Sequence, residues 1–399
     1  MTLKDLPRLL VDLASIAIVF WTQWRIGAAI LAWAAQRPPA ARLFIRSLWI
    51  AVCLSMVAGF VLTYHKVVPY GPRPAIRGFL TGFTFLWAFS STGAMLARMA
   101  WRLLLRLAQP PRFDPERRTL LNTAGNALAV AAPFALTGFG ALIQRTNFQV
   151  REIDIPVPNL PRDLQGLRIL QLTDIHLGPY LSERDLARVI DESGNLRPQL
   201  VVVTGDLISM RDDPLDACLH QIARLRPDSG IFGCLGNHEA YAGLESVTAE
   251  RGARLGIHFL RRQARSLRFG AASLNLAGTD YESISRRKRY LTGCEKLIDP
   301  GAVNVLLSHN PDVFPVAARQ GYDVTIAGHT HGGQVTVEIL HQSLNIARFI
   351  TPFVYGHYSL PRPSGEPSSI YVSRGIGTIG LPVRIGAPPE ITLLRLTAA

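Results

Sequence analysis

Four stretches near the start of the chain are each long and apolar enough to cross a lipid bilayer as a helix. They run from about residue 14 to 35, 43 to 64, 76 to 96 and 120 to 143. A spanning helix needs roughly 20 mostly apolar residues, and hydrocarbon leaves the backbone few other folds. We therefore predict a transmembrane domain of four helices over residues 1–145. A buried soluble helical bundle is the less favoured alternative.

Charge divides the chain into two different halves. Residues 1–150 carry 16 Lys and Arg against 4 Asp and Glu, whereas the rest of the chain carries 26 against 25. Nucleic-acid binding calls for a basic face on a folded domain. In the first half the Lys and Arg residues instead lie between long apolar runs. We therefore expect membrane lipids as neighbours and no nucleic-acid partner.

The short loops predict the orientation in the membrane, because an excess of Lys and Arg marks the cytoplasmic side. One side holds nine cations, Arg37, Arg42, Arg46, Arg98, Arg102, Arg106, Arg112, Arg117 and Arg118. The other side holds seven, Lys4, Arg8, Lys66, Arg73, Arg77, Arg145 and Arg151. The twin arginine Arg117-Arg118 also resembles the start of an export signal, with an ordinary basic helix flank as an equal alternative. Both readings place the second half on the periplasmic or extracellular side.

The second half has the pattern of an α/β domain. Residues 146–166 include the proline-marked run IPVPNLP, which predicts a linker or edge strand. Short apolar runs follow at 167–172, 200–203, 231–235, 303–307 and 324–327, and these predict buried strands. The sequence from Ser182 to Asp185 predicts the start of a helix that ends near Gly194.

Polar side chains follow each of these five predicted strands. They are Asp174 and His176, then Asp206, then Asn237, His238 and Glu239, then His309, and finally His329 and His331. Sites in open α/β sheets form beyond the carboxyl ends of the strands, so distant segments meet in one crevice. Five of the ten histidines of the chain fall in these short motifs.

The residue types in these motifs predict two divalent metal ions. Carboxylate oxygen and imidazole nitrogen suit Mn, Fe or Zn, and the absence of cysteine among these potential ligands argues against a structural zinc site. Eight ligand-type groups are too many for one ion. A carboxylate can bridge two ions about 3.5–4 Å apart, an arrangement used for phosphoryl displacement.

The ordered motifs D-x-H, G-D, G-N-H-E, S-H-N-P-D and G-H-T-H-G-G-Q resemble those of the calcineurin-like metallophosphoesterase family. The ending YVSRGIGTIGLPVRIGAPPEITLL is similar to the membrane-attached bacterial branch of that family. The resemblance implies a metallophosphoesterase domain over residues 167–399, a sandwich of two mixed β-sheets flanked by helices. It also implies a multi-pass protein of the bacterial inner membrane.

The resemblance implies a role for each motif residue. One metal would be held by Asp174, His176, Asp206 and His331, and the other by Asp206, Asn237, His309 and His329. Asp206 would bridge them, and a water between the metals would be the nucleophile. His238 would be catalytic, protonating the leaving oxygen or stabilising the charge that develops on the phosphorus centre.

Three further features bear on the site. Many family members carry an acidic residue shortly after the Gly-Asp pair, where this chain has Ser209. Glu239 is expected to orient His238 or a metal ligand, and a helix-start carboxylate is an equal alternative. The run Arg286-Arg287-Lys288-Arg289 is expected to contact a phosphate-bearing substrate or the membrane, with a solvated loop as the alternative.

The leading hypothesis is a membrane-anchored phosphoesterase that hydrolyses a phosphodiester or pyrophosphate bond in a lipid-linked or nucleotide-linked envelope metabolite. One alternative is a phosphomonoesterase with the same metal centre. Another is a membrane receptor or scaffold that uses the domain to bind a ligand without turnover.

Overall fold

The computed structural model describes residues 6–63, 74–107, 115–339 and 342–399. Lys4, Lys66, Arg73 and Arg112, which entered the loop-charge count, lie outside the described residues. The chain divides into two compact units, Met1–Ala141 with Gly380–Pro382, and Leu142–Ile379 with Val383–Ala399.

The first unit contains four long apolar helices. They are α1 (Leu6–Ala35), α2 (Pro39–Thr63), α3 (Pro74–Leu107) and α4 (Pro115–Leu142). All four are long and apolar enough to cross a membrane. Gln23, a polar residue within α1, donates a hydrogen bond to Ser91 at 2.9 Å and accepts one from the Trp87 indole at 2.8 Å. These partners satisfy an amide that would otherwise be costly to place in hydrocarbon.

The second unit contains a short 3-10 helix, Gln144–Thr146, and then strands interspersed with helices. Its strands are β1 (Gln149–Val157), β2 (Arg168–Leu172), β3 (Leu200–Thr204), β4 (Ile231–Cys234), β5 (Ile257–Phe259), β6 (Gln263–Phe269), β7 (Ala272–Gly278), β8 (Val303–Leu307), β9 (Val324–Ala327), β10 (Thr336–Ile339), β11 (Gln342–Asn345), β12 (Gly356–Pro361), β13 (Pro367–Val372) and β14 (Glu390–Ala398). Its helices are α5 (Glu183–Asn195), α6 (Leu215–Ile222), α7 (Asn237–Ala242), α8 (Glu245–Arg254) and α9 (Phe314–Gln320).

These strands form two mixed six-stranded sheets and one hairpin. The first sheet has the order β1-β14-β2-β3-β4-β5, and the second has the order β12-β13-β9-β8-β7-β6. The pairs β2-β3, β3-β4, β7-β8 and β8-β9 are all parallel. Strand β1, in the stretch predicted as a linker or edge strand, lies at the edge of the first sheet beside β14. Four apolar helices followed by two mixed sheets confirm the predicted fold class.

Side-chain alternation along the strands builds two apolar layers. Ile169, Val202 and Val305 belong to the layer that contains residues of both sheets. Their neighbours Leu170 and Val203 belong to the layer that contains residues of α5 and α6. Each fully buried side chain of this size contributes roughly 1.5–3 kcal/mol relative to an exposed one. Both faces of the first sheet are therefore covered by apolar side chains.

Helix α5 shows how local sequence fixes an element of this framework. The Ser182 hydroxyl accepts a hydrogen bond from the Asp185 amide at 3.1 Å and caps the helix as predicted. Leu186, Val189 and Ile190 are buried on one face of the helix. The helix thereby returns the chain from the end of β2 to the start of β3.

Candidate functional site

The predicted site residues lie just beyond the carboxyl ends of five strands. Asp174 and His176 follow β2, Asp206 follows β3, Asn237 and His238 follow β4, His309 follows β8, and His329 and His331 follow β9. Three of these strands belong to the first sheet and two to the second. The parallel pairing within each sheet places the strand ends at a common edge, where their side chains can meet.

Asp174, His176 and His331 form the first group of potential ligands. The Nε2 atom of His331 lies 3.3 Å from Oδ1 of Asp174 and 3.2 Å from Nε2 of His176. All three side chains are buried. Two imidazole nitrogens and a carboxylate oxygen this close together can bind a single cation.

Asp206, Asn237, His309 and His329 form the second group. The Nε2 atom of His309 lies 3.1 Å from Oδ2 of Asp206, 3.1 Å from Oδ1 of Asn237 and 3.1 Å from Nδ1 of His329. The His309 ring is held from its other side, where Nδ1 donates to the Thr204 carbonyl at 2.6 Å. Its Nε2 atom is therefore directed at the other three side chains.

The two groups meet at Asp206. Its Oδ2 atom lies 3.1 Å from His309 and 3.5 Å from Nε2 of His176, a member of the first group. Its Oδ1 atom accepts a hydrogen bond from the His238 amide at 2.9 Å. One oxygen of this carboxylate thus faces both groups, while the other is fixed by the protein.

The backbone at the site is held in an unusual conformation. Asp174, His176, Asp206, His329 and His331 all have positive φ angles, between 49° and 77°. A residue with a side chain in this region costs of order 1–3 kcal/mol and persists when its surroundings hold it there. Such strain clusters at functional sites, and here it falls on five of the seven potential ligands.

Two glycines allow the loops to approach the acidic residues closely. A Cβ atom on Gly236 would lie 2.1 Å from Oδ1 of Asp206, and one on Gly328 would lie 2.4 Å from Oδ2 of Asp174. Both distances are far below van der Waals contact. These positions therefore require glycine as long as the carboxylates keep their places.

The electrostatic environment keeps most of the imidazoles neutral. Burial lowers the pKa of His176 and of His329 to about 3, and it lowers the pKa of His331 well below its usual value. Burial also opposes the charge on His309, but the nearby Asp206 carboxylate raises its pKa to about 10. Neutral imidazole is the form that binds metals, so three of these four rings are already in that form.

The residues fit divalent metal ions. Within the described residues, three sets of donor atoms lie within 4.8 Å of one another: Asp174, His176 and His331; His176, Asp206 and His238; and Asp206, His309 and His329. Buried carboxylates and imidazoles of this kind are costly without a cation or a proton between them. The donor set of nitrogen and oxygen atoms, without sulfur, suits Mn, Fe or Zn.

His238 lies beside the two groups and is held differently from the other histidines. Its Nδ1 atom is 2.7 Å from the Ser209 carbonyl oxygen, and its ring centroid is 4.8 Å from that of His176. A carbonyl oxygen only accepts hydrogen bonds, so Nδ1 carries the proton. Nε2 is therefore the atom that can take up or release a proton. Ser209, the departure from the family pattern, also places its hydroxyl 3.0 Å from Nδ1 of His176.

Glu239 is fully buried and holds the loops that carry the site. Its carboxylate accepts hydrogen bonds from the amides of Asp206 at 3.0 Å, Leu207 at 2.7 Å and Gly236 at 2.7 Å. Burial raises its pKa above the usual value. Glu239 thus fixes the backbone of Asp206 and of the loop that leads to Asn237.

Two residues near the site were not singled out from the sequence. The Tyr281 ring lies 5.7 Å from that of His329 and 6.1 Å from that of His309. Arg384 is fully buried and donates hydrogen bonds to carbonyl oxygens that include His331, at 3.1 Å. Tyr281 follows Thr279-Asp280 at the end of β7, the same strand-end position as the other motifs, and that signal could have identified it.

The basic run is not brought into the groups of potential ligands. Arg286, Arg287, Lys288 and Arg289 form the greater part of an exposed 3-10 helix, Ile284–Arg289. Arg287 instead lines a separate cavity of about 410 Å³ together with Arg319 and Phe353. The four cations are free of the core and accessible to solutes.

Comparison with known proteins identifies the family. Residues 167–333 match the family model described as calcineurin-like phosphoesterase. An uncharacterized metallophosphoesterase of Aquifex aeolicus is 30% identical over 65% of this chain and 96% of its own length. An uncharacterized metallophosphoesterase of Campylobacter jejuni is 32% identical over 62% of this chain. A zebrafish protein described as a transmembrane protein with metallophosphoesterase domain is 31% identical over 68% of this chain.

The chain spans 63% of the length of the Campylobacter relative and 62% of the length of the zebrafish relative. The match to the Aquifex relative extends over nearly all of that protein. Together with the four apolar helices, the transmembrane relative supports membrane association. The family match supports the predicted enzyme class, a metal-dependent phosphoric ester hydrolase. This chain belongs to the calcineurin-like phosphoesterase family.

Proposed function

We propose that this protein is a membrane-anchored phosphoesterase that uses two divalent metal ions to hydrolyse a phosphodiester or pyrophosphate bond. The observation that carries the proposal is the position of Asp206. Its Oδ2 atom faces His309 at 3.1 Å and His176 at 3.5 Å, at the junction of two groups of buried donor atoms. A shared carboxylate of this kind is the arrangement expected for two adjacent ions.

Each of the two groups of potential ligands is proposed to hold one ion. Asp174, His176, Asp206 and His331 would hold one ion, and Asp206, Asn237, His309 and His329 would hold the other. Bound ions supply a Lewis acid that stabilises the negative charge of the phosphoryl oxygens. The protein supplies buried donors in fixed places, with strained loops and glycines that keep them there.

His238 is proposed to act as the general acid, which donates a proton to the leaving oxygen. The Ser209 carbonyl fixes the proton on Nδ1 and orients the ring, so Nε2 is the atom available to the substrate. An imidazolium at this position donates a proton to the leaving oxygen and offsets its developing charge. His238 is half-buried beside the ligand groups, which gives it access to both the substrate and solvent.

The proposed substrate class is an envelope metabolite with a lipid-linked or nucleotide-linked phosphoric ester. Four apolar helices support a location at the membrane, where lipid-linked esters are found. The exposed cations from Arg286 to Arg289 support an anionic substrate, because guanidinium groups bind phosphate through paired hydrogen bonds.

Hydrolysis by the detergent-purified protein tests the proposal. The protein is stripped of metal, supplied separately with Mn, Zn, Mg or Ca, and assayed with a chromogenic phosphodiester and the corresponding monoester. Metal-dependent diester cleavage is expected. His329→Ala is expected to lose at least about 100-fold in activity, because a lost ligand exceeds the 10–100-fold effect of outer-sphere partners.

His220→Ala is the matched control for the loss of a histidine. This exposed residue lies on α6 and contacts the Asp216 carbonyl at 2.7 Å, away from the ligand groups. Its activity is expected to equal that of the wild type. Preference for the monoester would replace the diester assignment, and no turnover of either ester with any metal would reject the enzymatic proposal.

We also propose that the catalytic unit lies on the periplasmic or extracellular side of a bacterial inner membrane. The proposal is supported by the count of nine loop cations against seven. Reporter enzymes fused after Ala399 test it. Activity of a reporter that works only after export would agree with this orientation. Activity of a reporter that works only in the cytoplasm would reverse it.

A further inference from the structure

Large apolar side chains are exposed at only a few places in the described part of the second unit. Leu142 is the last residue of α4, Ile143 follows it, and Val150 lies on the edge strand β1. The remaining five are Met210, Tyr241, Ile284, Phe349 and Ile350, with exposed fractions of 37%, 70%, 57%, 92% and 67%. We call these five residues the apolar rim.

Two members of the apolar rim are next to His238. Met210 directly follows Ser209, whose carbonyl oxygen holds the His238 ring at 2.7 Å. Tyr241 lies on the same short helix as His238, and the centroids of the two rings are 5.7 Å apart. Both residues therefore lie close to His238, beside the proposed active site.

The other members lie on loops that are tied to the ligand-bearing segments. Ile284 comes three residues after Tyr281, whose ring lies 5.7 Å from His329. Phe349 and Ile350 lie in a loop that is fastened at both ends. Before it, the Asn345 side chain donates to the Gly332 carbonyl beside His331 at 2.6 Å. After it, the Thr351 hydroxyl donates to Asp312, in the segment that follows His309, at 2.5 Å.

The same loops carry a strong excess of positive charge. Their exposed cations are Arg211, Arg286, Arg287, Lys288, Arg289 and Arg348. Asp212 is the exposed acidic residue beside them, whereas Asp280 and Glu282 are paired with Arg261 and Arg262. Apolar tips that alternate with cations are typical of surfaces that bind anionic lipid headgroups and insert into the interface.

We infer that the apolar rim and its cations dock onto an anionic lipid bilayer, so that the site meets its phosphoric ester at the membrane interface. This inference rests on the proposed function, because the loops border the proposed metal centre. Charge complementarity and four apolar helices that support membrane association both favour a lipid surface over a protein partner. Insertion of Phe349 into the membrane interface accounts for its exposure, because aromatic side chains are stabilised there.

Fluorescence quenching in nanodiscs tests the inference with the full chain. A fluorophore is attached at Ala347→Cys, which leaves Phe349 and Ile350 intact. Cys218, Cys234 and Cys294 are buried, and Cys53→Ser removes the remaining thiol. In discs that contain phosphatidylglycerol, a nitroxide-bearing lipid is expected to remove most of the emission. A label at Ala271→Cys, an exposed position in the turn between β6 and β7, at the end of β7 opposite the ligand-bearing edge, is expected to keep its emission.

Two double variants separate the contributions of the rim. The double variant Phe349→Ser, Ile350→Ser is expected to abolish the lipid quenching at position 347. The double variant Lys288→Glu, Arg289→Glu is expected to reduce this quenching and to remove its dependence on phosphatidylglycerol. Val150→Ser, an exposed apolar residue outside the rim, is expected to leave it unchanged. The inference would be overturned if aqueous iodide quenched the label at position 347 as efficiently as the label at position 271 in every lipid mixture.

Turnover is measured in the same samples with a soluble chromogenic ester, which needs no docking. Lipid quenching without turnover would uphold the docking surface and reject the proposed function. Turnover without lipid quenching would uphold the proposed function and reject the docking surface.

Discussion

The main-chain amide of Asp206 donates a hydrogen bond of 3.0 Å to the carboxylate of Glu239. Both residues are buried, and Asp206 directs its own carboxylate at His309 and His176. The two carboxylates therefore have different tasks. Glu239 binds backbone amides and fixes the loop, whereas Asp206 faces the imidazoles that are proposed to hold metal.

Glu239→Gln should loosen this loop without changing the size of the side chain. The glutamine amide would place a donor against one of three backbone amides, and an unsatisfied buried donor costs about 1–3 kcal/mol. We expect a lower thermal midpoint for the metal-free protein and a metal affinity weakened about 10–100-fold. Calorimetric titration with Mn measures the affinity. Wild-type affinity in the variant would show that Glu239 acts on the helix start alone.

Gly236→Ala should displace Asp206. The new Cβ atom would lie 2.1 Å from Oδ1 of Asp206, so either the carboxylate or the loop must move. We expect loss of metal binding with the fold retained, measured by metal content and circular dichroism. Gly194→Ala on α5 is the control, because a Cβ atom there meets nothing within 4 Å. Equal metal content in the two variants would contradict the close approach.

Arg384→Met should destabilise the second unit strongly. The guanidinium donates to the carbonyl oxygens of His331, Arg374, Gly375, Gly377 and Ala387. Hydrogen bonds to a charged group contribute about 1.5–3 kcal/mol each, and the variant leaves several carbonyls without a partner. We expect the thermal midpoint to fall by many degrees. Arg395→Met, which breaks an exposed pair with Asp154, should change it little.

Metal binding should stabilise the second unit against heat. A ligand that binds only the folded state adds about 2.7 kcal/mol when its concentration is 100 times the dissociation constant. We expect Mn or Zn to raise the thermal midpoint of the wild type and of His258→Ala, whose side chain is exposed on β5. Asp206→Asn should lose most of this rise, because its carboxylate is shared by both proposed ion sites. A full rise in Asp206→Asn would remove Asp206 from the metal centre.

The placement of the site was predictable because the parallel strands of each sheet end at one edge. Asp174 and Asp206 each come two residues after a buried strand, and His309 and His329 repeat the pattern in the second sheet. Short apolar runs that are buried on both faces are visible in sequence, so the strands before these residues could be identified. The same reasoning predicted the helix that Ser182 caps.

The contacts of single side chains at the site were not predictable in the same way. Arg384 lies 53 positions after His331 and is bound to carbonyl oxygens, which leave no pattern of residue types in the sequence. Tyr281 meets His309 and His329 through a loop whose path depends on both sheets. The positive φ angles of Asp174 and Asp206 could not be predicted either, because aspartate is enriched in that conformation but adopts other conformations far more often.

The most direct test of the two-metal centre combines metal counting with turnover in one preparation. The protein is reloaded with Mn or Zn, freed of excess metal, and analysed for ions per chain and for hydrolysis of the chromogenic phosphodiester. We expect two ions per chain and turnover in the wild type, and we expect Asp206→Asn to lose the bound ions and the turnover. One ion per chain, or undiminished turnover in Asp206→Asn, would contradict the two-metal centre.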